Sequence, residues 1–495
     1  MSHAPRLLVA LLALAAPAAA QEAPDPQSQA ARLLREGRDY LARGQAKQAL
    51  DNFNIVVASF PSTDSAGLAL IEIGRYHMEL EPDADKARAA FEQVTKQYAR
   101  SEAAPGAYYY QGLLTLNRAT LAHEIDDAIA QFARVETLYP RSEWVPRALA
   151  AQALAHRRAG RYPDATDLNR RVSLEYPASD AAAGAQFEIG HALALSGQPR
   201  LAMEEFQQVR NRFPESAWAE PALQRTTALY RLFGGAKASF SLDPGFSPGA
   251  GDVLKDVRAL LVARSGELWI ASDKTRSAIP IDAAGKLGAG LAGQDLRALS
   301  LSPTGEVILA SRTAIRVGAR DIRSFTTPPE KEGAQPKPVD KILAAVITPG
   351  GAVLVADEER QAILRYDGKG EYQGTFPAER AASKRKVSRL LLDGEGGIVA
   401  LDRDEKTVRV WDETGRLLRS VGPAGLRRPA DVAVDPFRNL YVADEEAGVH
   451  VFNPQGQLIA TIAGPELRRA RAVTLEATGA VLVYDDRAQR VLRYR

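Results

Sequence analysis

The chain has 495 residues, more than one ordinary hydrophobic core organises, so two or more domains are expected. Its hydrophobic fraction of 45% and charged fraction of 25% suit a globular protein, and a formal charge of +2 supplies no overall field towards nucleic acid or anionic lipid. There is no cysteine, which excludes disulfides, cysteine-based metal sites and thiol nucleophiles.

Residues 1–20 read as a secretory signal peptide. Arg6 precedes the apolar run Leu7–Ala16, and Ala18-Ala19-Ala20 before Gln21 suits a cleavage site. The run is too short to anchor the chain, and no later run is long enough to cross a bilayer. With no cysteine to carry a lipid, the expected product is a soluble periplasmic protein without stable membrane insertion.

A helical repeat follows. Ala49, Phe53, Val56 and Phe60 lie at helical spacing on one face. The pattern returns at Ala87, Phe91, Val94 and Tyr98, at Ala128, Phe132, Val135 and Tyr139, at Ala165, Asn169, Val172 and Tyr176, and at Ala202, Phe206, Val209 and Phe213. Each copy has a preceding helix, in which Gly37, Gly74, Gly112 and Gly190 allow close approach. Pro61, Pro140, Pro177 and Pro214 end the second helices. Thr63, Ser101, Ser142, Ser179 and Ser216 are placed to cap the next ones. A last unpaired helix, 216–233, completes the array.

This arrangement resembles the tetratricopeptide repeat (TPR) over residues 27–233. Tyr139-Pro140-Arg141-Ser142 is most similar to periplasmic members of that family. The resemblance implies an α-solenoid whose first helices line a concave peptide-binding groove. It places Arg38, Arg75, Tyr109, Arg147, Arg157 and His191 in that groove, which could take an acidic or C-terminal segment of a partner.

Residues 234–255 form a Pro/Gly-rich linker that contains an alternating segment, KASFSL (237–242). Beyond it, over 256–495, the period changes to that of strands. GELWIAS, GEVILAS, GAVLVAD, GGIVALD, NLYVAD and GAVLVYD end at Ser272, Ser311, Asp357, Asp402, Asp444 and Asp485. Each has a strand before it and one or two after it, which predicts a six-bladed β-propeller. The fifth copy resembles an NHL repeat. Blade six stops one strand short at Arg495, so 237–242 is expected to pair with the strand ending at Tyr494 and close the ring.

The aspartates ending the second strands could ring a hard cation. They are better explained as side chains that bond the turns after them. GxSxG, HExxH and a P-loop are absent, and His450 is the propeller's one histidine. The sequence therefore predicts no catalytic residues, metal or cofactor. It predicts a non-enzymatic periplasmic scaffold, with the groove holding a segment of one envelope protein, the propeller face holding another, and no nucleic acid. A Ca-dependent hydrolase or lactonase, or a lyase, on the propeller face is the alternative.

Overall fold

A computed structural model describes residues 25–119, 121–235, 238–246, 248, 251–319, 321–329, 335–378, 386–422 and 425–495. The expected signal peptide lies outside them. The chain separates into two compact bodies, 1–107 and 108–495, and the division falls inside the fifth helix.

Among the described residues eleven helices run in succession: α1 (Pro26–Ala42), α2 (Ala46–Ser59), α3 (Asp64–Glu79), α4 (Ala84–Gln97), α5 (Ala103–Arg118), α6 (Ala122–Leu138), α7 (Val145–Arg158), α8 (Tyr162–Glu175), α9 (Ala182–Leu195), α10 (Pro199–Arg212) and α11 (Ala219–Phe233). None of them is long and apolar enough to cross a membrane. The repeated Ala, Phe and Val of the second helices are fully buried, Phe53 and Phe91 in the first body, Phe132 and Phe206 in the second. Each of those rings fills the space a glycine leaves. A methyl on Gly112 would lie 2.5 Å from the Phe132 ring, and one on Gly190 would lie 2.9 Å from Phe206. In the α7–α8 pair the exchange is reciprocal: Asn169 replaces the large ring, and Ala153 takes the place of the glycine. Asn169 is buried and its Oδ1 has no hydrogen-bond partner.

The hydroxyls placed as helix caps mostly do something else. Thr63, Ser101, Ser179 and Ser216 each donate to the carbonyl of the aromatic residue three positions earlier, at 2.8 Å. They close the turn that follows the aromatic residue, which a proline begins in every case but that of Ser101. Ser101 and Ser142 do accept a backbone N–H, from Ala103 and Trp144.

Residues 257–494 form six antiparallel meanders arranged as a propeller. The first strands are Val257–Val262, Leu296–Leu301, Ile342–Ile347, Val387–Leu392, Pro429–Val434 and Ala470–Leu475. The second strands are Leu268–Ser272, Val307–Ser311, Val353–Asp357, Ile398–Asp402, Leu440–Asp444 and Val481–Asp485, four of them buried at every position. A two-stranded ribbon, Thr326–Thr327 with Lys337–Pro338, is inserted before blade three and lengthens that repeat. In all six blades the pairing shifts by one residue between the first and third positions of the first strand. Such a bulge re-aims the second residue.

Blade six has three strands of its own. Beside the last of them runs the segment after the helices. Ser241 N–H donates to Arg495 O (2.7 Å), Arg495 N–H donates back (2.8 Å), and Asp243 N–H donates to Arg493 O (2.8 Å). Leu242 bridges Tyr494, so an N-terminal strand covers the C-terminal edge.

Candidate functional site

Two sets of the residues expected to line a groove sit in ordered polar or aromatic clusters. In the first body Glu72, almost wholly buried, holds Arg38 Nε at 2.8 Å and Arg75 Nη1 at 3.1 Å. Glu72 was not singled out in the sequence; it lies on the same helix face one turn before Arg75. Beside Arg38 a cleft of about 540 Å³ is lined by Leu34, Arg35, Asp64, Leu68 and Arg100, among others. In the second body Tyr109 and Tyr110 pack on Trp144, with ring centroids 5.3 and 5.6 Å apart. Arg147 lies over the same indole at 5.1 Å, with its Nε 3.0 Å from Asp180.

Arg157 and His191 are placed differently from the expected open groove. Both pack against the propeller. Arg157 pairs with Glu188 (3.0 Å) and with Glu395, in the turn between the first two strands of blade four. His191 Nε2 is 3.2 Å from Pro436 O in the corresponding turn of blade five. Phe437, next in that turn, is 2% exposed and packs near Phe187 and Phe206. Arg231 Nε donates to Thr478 O in the turn of blade six. Helices α7, α9 and α11 therefore cover the first-to-second-strand turns of blades four to six. One signal was present: across the first-to-second-strand turns of all six blades, Phe437 is the only large apolar residue at the centre, where the others are Ser265, Thr304, Gly350, Glu395 and Thr478.

This joint holds two oppositely perturbed groups. Burial holds His191 down at about 4, against the pull of Glu188 and with the help of Arg157 and Arg225. Burial pushes Asp435 up to about 6, against hydrogen bonds from Asn439 and Phe437. As pH falls from about 6.5, the unfolded histidine takes up a proton that the folded one refuses, so its stabilisation is present above that pH and lost towards 4. Asp435 runs the other way: its contribution is present below its unfolded value near 3.9 and lost as pH rises towards 6. Each carries at most about 3 kcal/mol. The fall in melting temperature between pH 7 and 4.5 should shrink in His191→Gln and grow in Asp435→Asn. Unchanged pH profiles in both variants would show that neither group titrates as buried.

On the propeller axis the third position of the first strands reads Ala259, Ala298, Ala344, Arg389, Asp431, Ala472. Arg389, which stands in the sequence in a basic cluster with Lys384, Arg385 and Lys386, is 5% exposed and lies 2.9 Å from Asp431. It also donates to Leu299 O of blade two. Asp431 accepts from Val473 N–H (3.0 Å) of blade six. Lys384 and Arg385 of that cluster lie outside the described residues. The aspartates ending the second strands are engaged by turns. Asp444 Oδ1 accepts from Glu446 N–H (2.9 Å), and its Oδ2 from Arg427 and Arg428 N–H (2.7 and 2.9 Å). Asp485 repeats this with Arg487 and Arg468. His450 Nδ1 is 3.1 Å from Thr461 Oγ1.

No protein-family model and no curated protein matches the chain. Solved structures do. A streptogramin B lyase is 10% identical, with 53% of this chain and 99% of that chain covered at a TM-score of 0.39. A catalytically inactive virginiamycin B lyase from Staphylococcus aureus with quinupristin is 16% identical, covering 52% and 85% at 0.39. A gluconolactonase from Xanthomonas campestris is 13% identical, covering 49% and 87% at 0.38. At those values nothing of their chemistry carries over to this chain. The expectation that the protein is not an enzyme is not upheld: the solved propellers it is similar to are described as lyases and a gluconolactonase. That expectation rested on missing linear motifs. A propeller builds an axial site from first strands spread between Val257 and Leu475, where no linear motif is required.

Proposed function

We propose that the protein is an exported, periplasmic binding protein whose helix pairs are tetratricopeptide repeats and whose blades are of the NHL type. Its early repeats take an extended segment of an envelope-protein partner. The observation that carries this reading is the cleft beside Arg38, with Arg38 and Arg75 both oriented by the buried Glu72. Guanidiniums fixed before binding lose little freedom on gripping a carboxylate. The Tyr109–Trp144–Arg147 cluster offers a second surface of the same chemistry, aromatic and basic. Arg157 and His191 are spent on the propeller, so they hold the two folds together instead of contacting the segment.

The test is site-specific photo-crosslinking in the native envelope. A crosslinker at Leu68, on the cleft, should give a discrete adduct that Arg38→Ala diminishes. One at the exposed Arg88, on α4, should not. The same adducts from both positions, or no effect of Arg38→Ala, would remove the groove from the reading.

A further inference from the structure

The propeller face opposite the helix-covered turns is built from the segments leading into the first strands and from the turns joining second to third strands. One side chain there gathers four arginines. Glu445 follows the blade-five aspartate, and its side chain is 1% exposed. Its Oε1 lies 2.5 Å from Arg471 Nη1 and 3.4 Å from Arg403 Nη2, and its Oε2 lies 2.8 Å from Arg469 Nη2 and 3.0 Å from Arg428 Nε. The arginines come from blades four, five and six. Asp486, 3.5 Å from Arg469, is a second acidic neighbour, and the cluster stays net positive.

The surplus charge is presented outward. The Arg428 side chain is 55% exposed, and among the described residues Glu445 is its one ion-pair partner, engaged through Nε. Its two terminal nitrogens have no hydrogen bond among the described residues, and this is the fork that grips a carboxylate with two parallel bonds. Arg471 occupies the bulged second position of its first strand, and the same position is Arg258 in blade one and Arg297 in blade two. Arg258 is held by Asp273 at 2.7 Å. Arg297 is exposed and has no ion pair among the described residues.

We propose that this face is a docking site for an acidic polypeptide segment of a partner protein. Three features select that occupant. The bases gathered on Glu445 are arginines held in fixed orientations, which suits carboxylates met one at a time. Acidic residues, Glu446 and Asp486 among them, interrupt the basic patch, so it matches a short segment of mixed character better than a uniform polyanion. No Phe, Tyr or Trp occurs in 255–258, 273–276, 294–297, 403–406, 425–430, 445–447, 464–471 or 486–489, which leaves no platform for stacking the bases of a single strand. The site is separate from the helical groove and stands whether or not that groove binds.

The experiment uses the full chain and a fluorescein-labelled peptide of alternating Glu and Ser, about eight residues long, read by anisotropy at low and physiological salt. Binding should weaken as salt rises. Arg428→Ala with Arg469→Ala should weaken it at least about tenfold, while Glu445 keeps two arginines and the fold. Arg297→Ala, which removes no ion pair or side-chain hydrogen bond among the described residues, should weaken it several-fold. Lys86→Ala, on α4, should leave it unchanged. Equal affinity in wild type and all variants would overturn the proposal. So would a single-stranded DNA of equal charge bound at least tenfold more tightly, which would make the face a nucleic-acid surface.

Discussion

Arg389→Ala should cost the 108–495 body about 3–5 kcal/mol, the cost of leaving one member of a buried ion pair without its partner. Asp431 would remain beside the axis with two backbone donors, Val432 and Val473 N–H, and with Arg471 as a cationic neighbour that makes no ion pair with it. Leu299 O would lose its donor as well. Asp431→Ala should cost a similar amount by stranding Arg389. Replacing both together, as Arg389→Met with Asp431→Leu, should recover much of the loss, because burying two apolar side chains requires no desolvation of charge. Urea denaturation of the four proteins measures this directly. Additive losses in the double variant would mean that the two side chains act independently and that the pair does not join the blades.

Val135→Asp should be at least as damaging to the helical part of that body. Val135 is fully buried and packs with Leu149, Val172 and Ala185. The side chains packed around it are apolar, so the variant must bury a charge or take up a proton. A loss above about 4 kcal/mol is expected. Val135→Ala, which only opens a small cavity, should lose about half as much. Similar melting temperatures for the two variants would show that the α6–α7 contact opens to water without much cost.

Periodicity made the architecture legible. The Ala and Val spacing recurs five times, with Phe between them in four copies, and each copy buries the same face, so chance and local context average out. Six strand motifs did the same for the propeller, and the spare alternating segment before blade one indicated where its edge would be covered. The aspartates that end the strands were readable as turn-bonding groups for the same reason. Their partners are a few residues away, or in the segment that each repeat places beside them.

Contacts between repeats of different kinds left no such trace. Arg157 meets Glu395 across 238 residues, and nothing in the helical pattern distinguishes it from Arg38 or Arg147, which pair with Glu72 and Asp180 of neighbouring helical segments. Arg389 looked like one member of a basic run, yet the bulge at the start of its strand and the ring geometry turn it towards Asp431. Glu445 gathers arginines from three blades because the segments leading into neighbouring first strands meet at one mouth of the ring. Local spacing dictates which face of an element is buried, because that depends on residues within a turn or a strand. Which charges then face one another depends on how whole elements are brought together, and the free energy of each pairing is set by burial that no single segment possesses on its own.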